Sequence, residues 1–193
     1  MSRHAGVVAL GLVAALGWAT RAAAAEDEEA FQSGKTVFLR GGGGVFPTGL
    51  GVVSHLGPSW GVGVAFEPSR FFAVELSYEG SRNFFYDGER YDHHLLRNGV
   101  SVLARLSLPV SRFVRPFVGL GVGGSLALEP LYDDSFGRMT LLGEVPLSAG
   151  IEFGSGRLRV GARTAWRLLV GSQAKDHALW DYLDLLATAG LRF

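Results

Sequence analysis

The sequence predicts an all-β fold: a closed, antiparallel, eight-stranded transmembrane β-barrel. Three observations carry that prediction. Apolar residues alternate with small or charged ones in eight successive segments. The connections between those segments are short and long in turn. Glycine, 28 of 193 residues, gathers on the charged face of the segments rather than on the apolar face.

Composition narrows the field first. Lys+Arg and Asp+Glu are 18 each, so the net charge is zero and a basic nucleic-acid binder is not expected. Hydrophobic residues make up 48% and charged residues 19%, too apolar for a disordered chain. The absence of cysteine removes disulfides, zinc ribbons and thiol catalysis together.

The first 25 residues read as a cleaved signal peptide. Arg3 and His4 precede an uncharged stretch from Ala5 to Thr20, and Ala22-Ala23-Ala24-Ala25 offers an Ala-x-Ala cut. The uncharged stretch is short for a membrane-spanning helix, which needs about 20 apolar residues. Residues 26–34 form an acidic leader that opens with Glu26-Asp27-Glu28-Glu29. The barrel is expected to occupy residues 35–193.

The strands follow in order. Lys35 to Phe46 sets Val37, Leu39 and Val45 against Arg40, Gly42 and Gly44. Ser59 to Glu67 sets Trp60, Val62, Val64 and Phe66 against Gly61, Gly63 and Ala65. Arg70 to Gly80 sets Phe72, Val74, Leu76 and Tyr78 against Ala73, Glu75, Ser77 and Glu79. Leu96 to Leu108 sets Val100, Val102, Ala104 and Leu106 against Arg97, Gly99, Ser101 and Arg105. Pro116 to Leu128 sets Val118, Leu120, Val122 and Leu126 against Gly119, Gly121, Gly123 and Ser125. Leu141 to Phe153 sets Val145, Leu147, Ala149 and Ile151 against Glu144, Ser148, Gly150 and Glu152. Arg157 to Val170 sets Leu158, Val160, Trp166 and Leu168 against Arg157, Arg159, Arg163 and Arg167. Asp181 to Phe193 sets Leu183, Leu185, Leu191 and Phe193 against Asp184, Thr188, Gly190 and Arg192. Short turns are expected at Glu67 to Arg70, Pro109 to Phe113 and Gly154 to Arg157. Longer loops are expected at Pro47 to Pro58, Ser81 to Asp92, Glu129 to Arg138 and Gly171 to Trp180.

Glycine decides which face is inside. A water-facing surface has no need of it, whereas a narrow eight-stranded interior must fit its side chains into little space. Gly42, Gly44, Gly61, Gly63, Gly99, Gly119, Gly121, Gly123, Gly150, Gly161 and Gly190 share the charged face; Gly41, Gly43, Gly124 and Gly143 share the apolar one. The charged face is therefore assigned to the lumen and the apolar face to lipid. Closure follows, because an open strand edge in hydrocarbon leaves backbone groups unpaired. Trp60 and Tyr78 are expected at the long-loop ends of the outer face, and Phe66, Phe72, Phe153 and Phe193 at the short-turn ends, as two aromatic girdles.

The assignment turns Arg40, Glu75, Glu79, Arg97, Arg105, Glu144, Glu152, Arg159, Arg163, Arg167, Asp184 and Arg192 inward. Buried charges must pair, so a salt-bridge network plugging the lumen is expected. A two-residue turn at Ser155-Gly156 would oppose Glu152 to Arg159, Ser148 to Arg163 and Glu144 to Arg167.

The whole mature chain resembles the small eight-stranded outer-membrane barrels of the OmpA, OmpX and OmpW type. The most specific element is the end, Ala187-Thr188-Ala189-Gly190-Leu191-Arg192-Phe193. Its terminal Phe193 and alternating Leu191 resemble the signal read by the barrel assembly machinery. The resemblance implies a monomer in the outer membrane of a Gram-negative bacterium with both termini periplasmic. The peptidoglycan-binding domain of the OmpA type is not expected, since the chain ends at Phe193. The function implied is structural or surface interaction through extracellular loops, with Arg82-Asn83-Phe84-Phe85-Tyr86 a candidate contact. A conduit for small hydrophobic molecules, as in the OmpW type, is the alternative, and a barrel envelope enzyme ranks below it.

Several motifs imitate chemistry. Gly119-Leu120-Gly121-Val122-Gly123-Gly124 fits G-x-G-x-x-G but lies within a strand and opens no helix. Ser33-Gly34-Lys35-Thr36 resembles the end of a phosphate loop, with Glu29 where glycine is required. His93 and His94 point to opposite faces if extended. Glu129, Asp133 and Asp134 share a loop that solvation alone explains. The lipid A deacylase barrels use His-x-Ser, and none of His55, His93, His94 or His177 has Ser two residues on. Asp176-His177 and Asp133-Asp134 resemble the pairs of outer-membrane proteases, but neighbours in a strand do not share a face. No catalytic residue, cofactor or metal is expected.

Overall fold

The computed structural model describes residues 33–48, 53–86, 93–129, 138–154, 156–171 and 180–193. The expected signal peptide lies outside these residues, as do 26–32 of the leader and Asp133, Asp134, Asp176 and His177. The strands are β1 (Gly34–Thr48), β2 (Val53–Ser54), β3 (Gly57–Glu67), β4 (Phe72–Tyr86), β5 (His93–Ser107), β6 (Val114–Glu129), β7 (Arg138–Phe153), β8 (Leu158–Gly171) and β9 (Trp180–Arg192). β2 is only a two-residue rung on the end of β4. The other eight pair antiparallel with their neighbours, and a β4–β5 pairing closes the ring.

The registers fix the shape. A path from Lys35 crosses paired residues Phe66, Val74, Ala104, Leu120, Leu147, Trp166 and Leu183, and meets β1 again at Val45, ten residues from its start. Eight strands with that stagger tilt about 40° from the axis and stand about 8 Å from it, given the ordinary strand spacing. Side chains from opposite walls therefore meet in the middle.

Alternation does the rest. On the outer face Leu39, Leu120, Val122 and Leu185 are more than half exposed, while Arg97, Glu75, Arg163 and Arg167 inside are almost wholly buried. A water-soluble barrel would show the reverse. Each of the eight long strands has a partner on both sides, so its ladder groups are paired within the sheet.

Three expectations are corrected. β4 runs on to Tyr86 and β5 begins at His93, so Arg82 to Tyr86 is strand and not loop. Asn83 turns inward there and is fully buried, while Phe84 stays outside. The apolar alternation fades at this end because the strands are longer than a bilayer requires: at a tilt of about 40° each residue climbs about 2.5 Å, and a band of about 25 Å takes ten residues. For the same reason Tyr78 lies in the middle of β4 rather than at its long-loop end. The β7–β8 turn is formed by Gly156 and Arg157, with Gly156 at φ 70°. This moves the register by two residues, so Glu152 pairs with Gly161, Gly150 with Arg163 and Pro146 with Arg167. A shift of two preserves the faces, and the charges stay inside.

Candidate functional site

The interior is the chemical feature of this molecule, and it is layered along the axis. At the short-turn end, Glu67 is surrounded by guanidinium groups: Arg115 at 3.3 Å, Arg159 at 3.6 Å, and Arg105 and Arg192 at 3.9 Å. Thr36 donates its hydroxyl proton to the same carboxylate. Beside it, Arg105 donates to both oxygens of Glu152 at 2.5 and 3.1 Å.

The middle layer is built on β4. Glu75 lies 2.8 Å from Arg40 and 2.7 Å from Arg163. Two pleat repeats further on, Glu79 takes Arg40 at 3.0 Å and also contacts Arg167. Arg167 reaches Asp184 at 3.1 Å and Glu144 at 3.6 Å. Glu144 is held by Arg97 through two hydrogen bonds.

Toward the long-loop end the interior turns apolar. The Arg97 guanidinium lies 5.2 Å from the Tyr182 ring centre, and the Tyr182 hydroxyl is 2.5 Å from that of Ser59. Above them Phe46, Leu95, Ala127, Leu142 and Leu169 pack with Tyr182 into one cluster. The amide of Asn83 donates to the carbonyls of Gly44 and His55, tying β4 to β1 across the top.

Glycines make room for inward rings. A methyl group on Gly63 would stand 2.5 Å from the Phe38 ring, and one on Gly150 would stand 2.5 Å from the Phe117 ring. Each ring in turn carries a guanidinium, Arg40 over Phe38 at 3.9 Å and Arg105 over Phe117 at 4.7 Å. The glycine, the ring and the cation thus form a stack from wall to axis on two sides of the barrel.

All twelve charges assigned to the lumen by alternation lie inside, Arg192 at its mouth. Their closest partners are not those of the expected hairpin. Glu152 and Glu144 are bound most tightly by Arg105 and Arg97 of β5, on the far side of β6, while Arg159 and Arg167 stand further off at 3.8 and 3.6 Å. Sequence reasoning missed Glu67, set where a strand meets a turn, and Arg115, left between turn and strand, although they share the parity of Ala65 and Phe117. It also missed the inward aromatics Phe38, Phe46, Phe117 and Tyr182. Parity was the available signal: Phe38 is two residues from Arg40, and Tyr182 is two from Asp184.

Of the outer aromatics, Trp60, Phe66, Phe72, Tyr78, Phe153 and Phe193 are all exposed, and Leu191 with them. The Tyr78 hydroxyl donates to Asn98 at 2.7 Å, so a polar pair sits on the outer face of the wall. The His94 and Phe84 ring centres lie 6.3 Å apart, and no group of three or more His, Cys, Asp or Glu able to hold a metal occurs among the described residues.

No family model and no curated protein matches the chain. Solved structures do. Neisserial surface protein A superposes with a TM-score of 0.62 at 10% identity, over 83% of this chain and 97% of that one. Ail, the attachment invasion locus protein of Yersinia pestis, gives 0.56 at 15% identity, over 84% and 100%. OprG, an outer membrane protein from Pseudomonas aeruginosa, gives 0.50 at 13% identity, over 86% and 99%. The chain has the fold of the small eight-stranded outer-membrane barrels.

Proposed function

We propose that this chain is an integral outer-membrane protein whose lumen is plugged by its own ionic core and whose activity lies at the cell surface. The observation that carries the reading is the contrast between the faces. Outward side chains are apolar and exposed, and inward ones are charged, paired and buried. A cylinder with that polarity is stable only with lipid around it. On this reading the short turns and both termini face the periplasm, and Leu191 and Phe193 serve the assembly machinery as the last strand enters the membrane. The protein is monomeric, because a closed sheet has no free edge.

The lumen reading follows from packing. With a wall about 8 Å from the axis, eight arginines and six carboxylates leave little space. They are joined by charge-assisted bonds that an ion would have to break in sequence. Loops joined to a rigid barrel then become the part that meets partners. The likeness to Ail supports a surface role, since that protein was solved in complex with a heparin analogue, sucrose octasulfate. The chain is read as a non-enzymatic barrel.

The conduit for small hydrophobic molecules is kept as a second reading on one observation. Pro146 interrupts the β6–β7 ladder opposite Gly121, because it has no N–H to donate. The β6–β7 ladder skips Gly121 and Val122 at this point.

Two measurements decide. Cell fractionation with heat-modifiable gel mobility is expected to place a folded, boiling-sensitive form in the outer membrane; a soluble periplasmic product would end the membrane reading. Planar bilayers with the purified barrel are expected to show no large steady conductance. Uptake of an apolar solute by vesicles carrying the protein, abolished by Pro146→Ala, would favour the conduit instead.

A further inference from the structure

The ionic core has a surplus of cations at one end. Among the described residues, the short-turn half sets Arg105, Arg115, Arg159 and Arg192 against Glu67 and Glu152, with Glu75 of the middle layer 3.9 Å from Arg105. Desolvated charge of one sign is costly and calls for a counterion. The same region holds a small cavity of about 10 Å³, lined in part by Arg40, Arg105, Arg159, Thr36, Thr188 and Glu152. That is about the room that one water-sized species needs.

Phe38, Ala65, Val160 and Gly190 make most of the wall apolar, and three arginines bring donors to it. The Nε groups of Arg40, Arg105 and Arg159 are each buried and have no hydrogen-bond partner. Arg40 and Arg105 are buried well beyond nine-tenths. The one carboxylate in the lining, Glu152, has both oxygens engaged by Arg105. Thr36 spends its proton on Glu67.

Such a lining discriminates between occupants. A cation meets three guanidiniums and a carboxylate that is already paired. A water molecule needs acceptors for its own two hydrogens, and few are offered. A sulfate or phosphate is too large for the space. A single small anion accepts several N–H donors at once and offsets the surplus positive charge.

We propose that this cavity is a chloride-class site, holding one small inorganic anion among Arg40, Arg105 and Arg159 as an integral part of the barrel core. The anion enters through the short-turn mouth, where the excess of arginine raises its local concentration. It binds the folded barrel alone, because the three guanidiniums converge only when β1, β5 and β8 are assembled. Chloride is thereby a folding ligand, and its effect on stability is that of any ligand of the native state.

The test uses the full mature chain refolded in detergent, at constant ionic strength, with chloride replaced by gluconate or by sulfate. Chloride is expected to raise the urea or thermal midpoint saturably. For a site of ~10 mM affinity the folded-to-unfolded ratio rises about tenfold at 100 mM chloride. Gluconate should not reproduce this, and any rise in sulfate should grow with concentration without saturating, as surface exclusion does. Crystals grown in bromide are expected to show an anomalous peak in contact with the Nε groups of Arg159 and Arg105. Arg159→Gln should flatten the chloride dependence, and the bromide experiment on the unaltered chain stands even if that variant fails to assemble. Equal midpoints in all three salts, or water alone in the cavity of the bromide crystals, would overturn the proposal.

Discussion

Arg97 and Glu144 form a bidentate pair: Nε donates to one carboxylate oxygen at 2.7 Å and Nη2 to the other at 2.6 Å, with both side chains buried. The two residues come from β5 and β7, which both pair with β6, so the bond bridges the inner surface of that strand. It sits where the ionic core gives way to the apolar cluster around Tyr182.

Removing one partner of this pair leaves the other charged and dry. Glu144→Gln is expected to destabilise the barrel by about 3–5 kcal/mol, since an uncompensated buried charge costs more than the pair itself contributes. The double variant Arg97→Met, Glu144→Leu should recover most of that loss, because a packed apolar pair removes both desolvation terms. Urea unfolding of the refolded protein in lipid vesicles measures both. A double variant as unstable as the single one would mean that Arg97 and Glu144 act separately.

The glycine–ring stacks give a second prediction. At Gly63 a methyl group would meet both the Phe38 ring and the Leu76 carbonyl oxygen at 2.5 Å, and the carbonyl cannot move. Gly41, one residue beyond Arg40 on the outer face, has nothing within 4 Å of the same methyl. Gly63→Ala is therefore expected to cost about 1–3 kcal/mol, and Gly41→Ala nothing measurable. Heat-modifiable mobility followed against temperature separates the two. Equal midpoints would show that the glycines are not there to admit the rings.

The turn between β7 and β8 makes a third. Gly156 has φ 70°, and no atom would crowd a side chain there. The penalty for Gly156→Ala is thus only that of the left-handed backbone, about 1 kcal/mol. Asn, which tolerates that conformation, should restore most of it. Refolding yields of the three proteins at one urea concentration give the ranking glycine, asparagine, alanine. Alanine equal to glycine would place the turn elsewhere in the hairpin.

The fold was legible because the membrane imposes a period of two on every strand, and a face made of Val and Leu opposite Arg and Gly has one physical explanation. Parity survived even the error at Gly154 to Arg157, since a shift of two leaves each side chain on its face. Partners were not legible for a geometric reason. A hairpin register reaches only the next strand, whereas Arg97–Glu144 reaches over β6 to the second neighbour and Arg163–Glu75 joins β8 to β4 on the opposite wall, which meet because the barrel is narrow. Glu67 and Arg115 were lost at strand ends, where turn residues and strand residues look alike. Phe38, Phe46 and Tyr182 were lost because an aromatic in a membrane strand reads as a lipid contact until a glycine opposite makes room for it.

The assignment of faces is itself open to direct test at Val122. This residue lies in the middle of β6, points outward and is 66% exposed. Its neighbour Gly121 points inward, where a methyl group would meet the Val102 carbonyl oxygen. If the outer face lies in hydrocarbon, Val122→Arg costs about 2–4 kcal/mol near the bilayer midplane. Val122→Leu should cost nothing, because it keeps the lipid contact. The same pair on a water-exposed face would give the opposite order, with Arg harmless and Leu slightly unfavourable. Reversible unfolding in vesicles supplies the free energies. The detergent-solubilised protein supplies a control, since the micelle lets a long Arg side chain reach water and the penalty should shrink. A Val122→Arg barrel as stable as its parent in vesicles would reverse the sides assigned to every strand.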